Sequence, residues 1–124
     1  MESTKLNDVV IYTSAARTAT SSVDRDDRHH PRVGMHLIID VTAIAATPSV
    51  VPSIQGYDAT SNKYYDILVG AAITATGTTV LKVFPGATPA ANTVANDFMP
   101  GRWRLLMTHA DADSITFSVA AQMM

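Results

Sequence analysis

From Ser114 to Gln122 the chain reads SITFSVAAQ, with Ile115, Phe117, Val119 and Ala121 alternating with Ser114, Thr116, Ser118 and Ala120. Successive side chains of an extended strand project to opposite faces, whereas a helix returns to one face only every third or fourth residue. A period of two therefore commits this segment to a strand with one buried and one solvated face. The same period recurs in GMHLIIDVTAIAA (34–46), with Leu37, Ile39, Val41 and Ala43 on one side and His36, Ile38, Asp40 and Thr42 on the other. It returns in RWRLLMTH (102–109), where Trp103, Leu105 and Met107 oppose Arg102, Arg104, Leu106 and Thr108. The apolar faces are assigned to the core, and Trp103 is read as a core anchor rather than a carbohydrate platform because an indole buries so much area.

The intervening chain adds strands and turns. VVIYTSAA (9–16) is β-branched and reads as a first strand. Residues 17–32 lack an apolar face and contain Pro31, so they read as a long connection with a short strand near its start. VVPSIQGY (50–57) is a strand whose Pro52 requires an edge or a bulge, since proline donates no ladder hydrogen bond. DATSNK (58–63) is rich in turn formers, which makes IQGY and YYDILV (64–69) the arms of a hairpin. Gly77 sits in a further turn before VLKVF (80–84), in which Leu81 and Val83 oppose Lys82. Three prolines and two glycines make 85–101 a surface loop or arm, with room for one helical turn in AANTVAN (90–96). Of the eleven acidic residues only Glu2 is a glutamate. Aspartate favours turns and caps, so this bias also argues against helix.

These segments predict an all-β protein of six or seven strands, an antiparallel β-sandwich or jelly roll with no internal repeat. A length of 124 residues suits one domain. Within it, 1–33 is expected to supply an N-terminal arm, the first strand and a charged loop packing on a sandwich body at 34–124.

Composition removes several functions. A net charge of −2 gives no strong field for phosphate backbones or anionic lipid, so neither nucleic acid nor membrane is an expected partner. The absence of cysteine removes disulfides, thiolate metal sites and thiol nucleophiles. The N-terminal MESTKLNDVV has no apolar stretch of signal-peptide length, and later apolar runs are broken well short of a spanning helix, so no secretion or membrane insertion is expected. Charged residues are only 16% of the chain, a low share that suggests an outer surface covered by partners as much as it suggests a solitary Ala/Thr-rich domain.

The most chemically loaded stretch is DRDDRHHPR (24–32), with three aspartates, three arginines and two histidines. His29 and His30 are adjacent, so in an extended chain they point to opposite sides, and one metal ion would rarely receive both. The charges of Asp24, Arg25, Asp26, Asp27, Arg28 and Arg32 cancel, which fits neither a nucleic-acid arm nor an acidic tail. Balanced charge suits either bidentate pairing with a neighbouring subunit or a solvated loop. Tyr57 and Tyr64, flanking the hairpin turn, are further candidates for partner contact. Asp111 and Asp113 in HADADS lack the glycine and glutamate of a calcium loop and read as a tight turn. Asp40 and Asp66 lie in expected strands, where pairing with Arg102 or Arg104 is the plainer alternative to a carboxylate pair. There is no nucleophile elbow and no Gly-rich phosphate loop, so no catalytic residue, cofactor or metal ligand is assigned.

The segments GMHLIIDVTAIAATPS, IQGYDATSNKYYDILVGAAITATGTTVLKVFPG and WRLLMTHADADSITFSVAAQ, together with TSAARTAT (13–20), resemble a family of small structural proteins of tailed bacteriophages. The resemblance covers most of the chain and is weakest from Val23 to Val33. It implies a β-sandwich virion component, foremost a capsid decoration (cement) protein. Such a protein would assemble in the host cytoplasm, form a homo-oligomer, a trimer for preference, and bind the major capsid protein on the outer surface of the head. A neck, tail or fibre-adaptor protein and a carbohydrate-binding adsorption module stand as alternatives. The resemblance assigns no residue a chemical role. The N-terminal segment (1–8), the charged loop and 85–101 are the expected gripping elements.

Overall fold

The computed structural model describes residues 8–124, and the part of the expected N-terminal arm before Asp8 lies outside them. Among the described residues there are nine strands, β1 (Asp8–Arg17), β2 (Ser21–Asp26), β3 (Met35–Ile44), β4 (Val50–Asp58), β5 (Lys63–Val69), β6 (Gly77–Val83), β7 (Val94–Ala95), β8 (Arg102–His109) and β9 (Ile115–Met123). None of the described residues is helical. The strands form a five-stranded sheet in the order β1-β9-β3-β6-β7 and a four-stranded sheet in the order β2-β8-β4-β5. All pairings are antiparallel except the short β6–β7 one. With β7 set aside, the eight strands fall four to a sheet, and the chain crosses between sheets at every connection except the β4–β5 hairpin, the order of a jelly roll, which decides between the two expected architectures.

The alternation places the core where the sequence puts it. Leu37, Ile39, Val41, Leu81, Val83, Phe117, Val119 and Ala121 of one sheet face Ile54, Trp103, Leu105 and Met107 of the other, all buried. Ala43 departs from the expected inward face and is exposed, because a register irregularity between Val41 and Ala43 shifts the end of β3. Arg17 closes one side of the core. Its guanidinium lies over the Tyr12 and Phe117 rings, 4.7 and 4.6 Å from their centroids, and donates to the carbonyls of Thr13 and Phe117 at 2.7 and 2.8 Å.

Two expectations change and one is sharpened. The short strand expected in the connection 17–32 is β2, which runs on through Asp24, Arg25 and Asp26; an edge strand needs little apolar surface when a full ladder to β8 satisfies its backbone. The segment 90–96 turns through Asn92 at φ 63° into β7 rather than through a helical turn. Strand β6 starts at Gly77, whose φ of 137° carries the turn straight into the ladder. Pro52 satisfies the edge-or-bulge requirement inside a central strand. Its carbonyl accepts from the Gly70 amide at 2.8 Å, so its nitrogen points to that same side, just beyond the last β4–β5 pair, Ser53–Val69.

Candidate functional site

Six of the ten expected contact residues converge. Asp24, Arg25, Asp26, Arg28, Tyr57 and Tyr64 line an open cleft of about 220 Å³ with Arg102 and Trp103. The register explains why. Asp24 pairs with Arg104, Arg104 with Gln55, and Gln55 with Asp66, so one row across β2, β8, β4 and β5 places four polar side chains on the outer face. The next row carries Asp26 opposite Arg102 and Tyr57 opposite Tyr64. The missing link within it is a stacking contact, with the Arg102 guanidinium 4.2 Å from the centre of the Tyr57 ring.

Both arginines of β8 sit over aromatic rings. Arg104 lies 3.7 Å from the Tyr64 centroid, and the two tyrosines meet at 4.9 Å. Arg104 Nε donates to Gln55 Oε1 at 2.7 Å, and Gln55 Nε2 donates to Asp66 Oδ1 at 2.7 Å, an arginine–amide–carboxylate relay across three strands. Asp66 is thus tied to Arg104 through Gln55. Asp40 lies on the other sheet beside Thr78, so Asp40 and Asp66 form no carboxylate pair.

The charged stretch is largely paired within itself. Arg28 grips Asp26 in a two-pronged contact, Nε to Oδ1 at 2.8 Å and Nη2 to Oδ2 at 2.6 Å, and its backbone amide also donates to Oδ1. These bonds hold the Asp26 carboxyl far below the usual carboxylate range. Asp27 turns inward. It accepts from Trp103 Nε1 at 2.8 Å and from Arg25 Nη2 at 3.0 Å, which gives the indole of the cleft floor its polar partner. His29 and His30 are exposed on the following turn, outside the cleft, as is the half-buried Arg32. Among the described residues no group of three or more His, Asp or Glu could hold a metal ion.

Sequence reasoning did not bring Arg102 and Arg104 to this site, having read them only as partners for Asp40 and Asp66. The signal lay in their alternation with Trp103 and Leu105, which sends both guanidiniums outward once the core face is fixed. Burial, and then the neighbouring Asp24, raise the Tyr64 pKa above the ordinary value. Asp26 and Tyr64 are therefore displaced away from neutrality in opposite directions and stay charged and neutral, respectively, near pH 7. The lining contains no Ser, Thr, Cys or His. What the arrangement offers is a surface of guanidinium groups, a carboxylate rim and phenol edges. Asp111 and Asp113 form a turn elsewhere, with the Asp113 amide donating to Asp111 Oδ1 at 3.0 Å and Asp113 Oδ2 accepting from the Thr47 amide.

No family model matches this chain, and no curated protein is similar to it.

Proposed function

We propose that this chain is a non-enzymatic structural protein of a phage particle, a decoration protein that grips the outside of the head through the face of its four-stranded sheet. The observation that carries this reading is the convergence of Tyr57, Tyr64, Arg102 and Arg104 on one outward face, held by stacking and by the Arg104–Gln55 hydrogen bond, beside the Asp26–Arg28 pair. Tyrosine and arginine are the residues that anchor protein interfaces, and side chains already held in place lose little freedom on docking. The jelly roll suits the same role without proving it, since the fold serves capsid and lectin domains alike. Many weak copies bound only to the mature shell would stabilise it by mass action. The partner is the major capsid protein, with the turn after Asp26 and the 85–101 segment flanking the contact.

A carbohydrate-binding reading is the weaker one, because Arg102 and Arg104 cover the Tyr57 and Tyr64 faces on which a sugar ring would stack. The test is to add the purified protein to undecorated heads and image them by electron microscopy. A regular array lost on Tyr57→Ala with Arg102→Ala supports the proposal. Unbound heads, or a single ring at the neck, overturn it.

A further inference from the structure

The opposite face of the molecule carries a second surface, unrelated to the cleft. Val10 on β1 stands opposite Ala120 on β9, Ala120 opposite Ile38 on β3, and Ile38 opposite Val80 on β6. Directly opposed residues project to the same side of a sheet. Their neighbours Leu37, Ile39, Leu81, Val119 and Ala121 fill the core, so these four form an apolar band on the outside. Val10 is 68% exposed and Val80 37%, with Ile38 and Ala120 half-buried between them. Scattered surface apolar residues need no explanation, but a row running unbroken across every long strand of a sheet does.

The rows beside the band show what fits it. On one side run Asp8, Gln122, His36 and Lys82, on the other Ser118, Asp40 and Thr78. The first row is polarised, with a carboxylate at the β1 edge and an ammonium at the β6 edge. A second copy turned over about an axis parallel to the strands, passing between β9 and β3, brings its β6 edge over β1. Asp8 then meets the other copy's Lys82, Val10 meets Val80, and Ala120 meets Ile38, each contact occurring twice. We propose that this face binds a second copy of the chain in a two-fold, sheet-on-sheet dimer.

Strand spacing and rise make the face roughly 20 Å on a side, at the low end of specific interfaces, so the dimer is a weak one with a Kd in the micromolar range. Its closed product is a dimer rather than the trimer that the family resemblance suggests, and it stands whether or not the protein decorates a capsid.

Sedimentation equilibrium of the full chain from about 1 to 500 μM brackets such a Kd. A monomer–dimer equilibrium is expected. Asp8→Lys and Lys82→Asp should each weaken it about tenfold, and the double charge swap should restore it to within about threefold. Val10→Glu should weaken it at least as much, with an unchanged thermal midpoint because the side chain is exposed. A monomer throughout, a trimer, or a double swap that fails to restore association overturns the proposal.

Discussion

His109, at the end of β8, has a buried Nε2 with no hydrogen-bond partner among the described residues. Burial pulls its pKa below the ordinary histidine value, and Arg17 adds to this while Asp111 opposes it. The unfolded chain takes up this proton near pH 6.5 while the folded chain resists it, so stability is intact above that pH and declines as pH falls below it. Thermal melts from about pH 5 to 8 should show this loss, and His109→Gln should flatten it. Asp27 has the reverse character, since every bond it makes is needed. Asp27→Ala would strand the indole N–H of Trp103, itself 1% exposed, and the Arg25 guanidinium, for a loss of about 1–3 kcal/mol in chemical denaturation. At Gly56 a Cβ would fall 2.4 Å from the Tyr65 ring, which lies across the strand there. Gly56→Ala must therefore displace the tip of the Tyr65 ring, which is exposed and free to swing away.

At the scale of elements, the strands differ in how firmly they are held. Strands β9 and β3 pair on both sides and bury every second residue, β3 as far as Val41, whereas β2 is an edge paired only to β8, with no fully buried residue. Local opening costs least where few apolar contacts must be broken. Amide hydrogen exchange should therefore be fastest in β2 and slowest in β9 and β3, and uniform protection would contradict this picture. The hairpin of β4 and β5 is fixed locally. Asp58 accepts from the Thr60 amide and the Ser61 hydroxyl, bonds that lower its pKa, and Asn62 takes the left-handed conformation at φ 59° that closes the turn. This element was legible from DATSNK alone, while the extent of β2, expected only as a short strand within 17–32, was not, because its partner lies about eighty residues further along the chain.

For the whole molecule, the jelly roll joins the ends of the chain, with β1 paired to β9 and β2 to β8. Such pairings close long loops before any contact rewards them, so folding is expected in milliseconds to seconds, as one cooperative transition. Phe117 is fully buried and meets Tyr12 edge-on at 5.4 Å, so Phe117→Ala should cost about 3–5 kcal/mol by denaturant titration. The two outer faces divide the surface between them. One holds paired charge and stacked arginines, proposed to meet the capsid, and the other holds the apolar band proposed to meet a second copy.

The period-two alternation by itself determined the fold class, the inward face of each long strand and the turns, since these depend on side-chain direction within a few residues. Charge density and the turn residues offered six of the cleft residues as separate candidates, with Asp24, Arg25, Asp26 and Arg28 from one segment and Tyr57 and Tyr64 from another, but not Arg102 or Trp103. Which strands are neighbours, and hence that Asp26 stands beside Arg102 and that Val10, Ala120, Ile38 and Val80 share one row, was decided only by the tertiary structure. Strand order depends on how two whole faces pack against each other, and no local pattern encodes a partner far away in the chain.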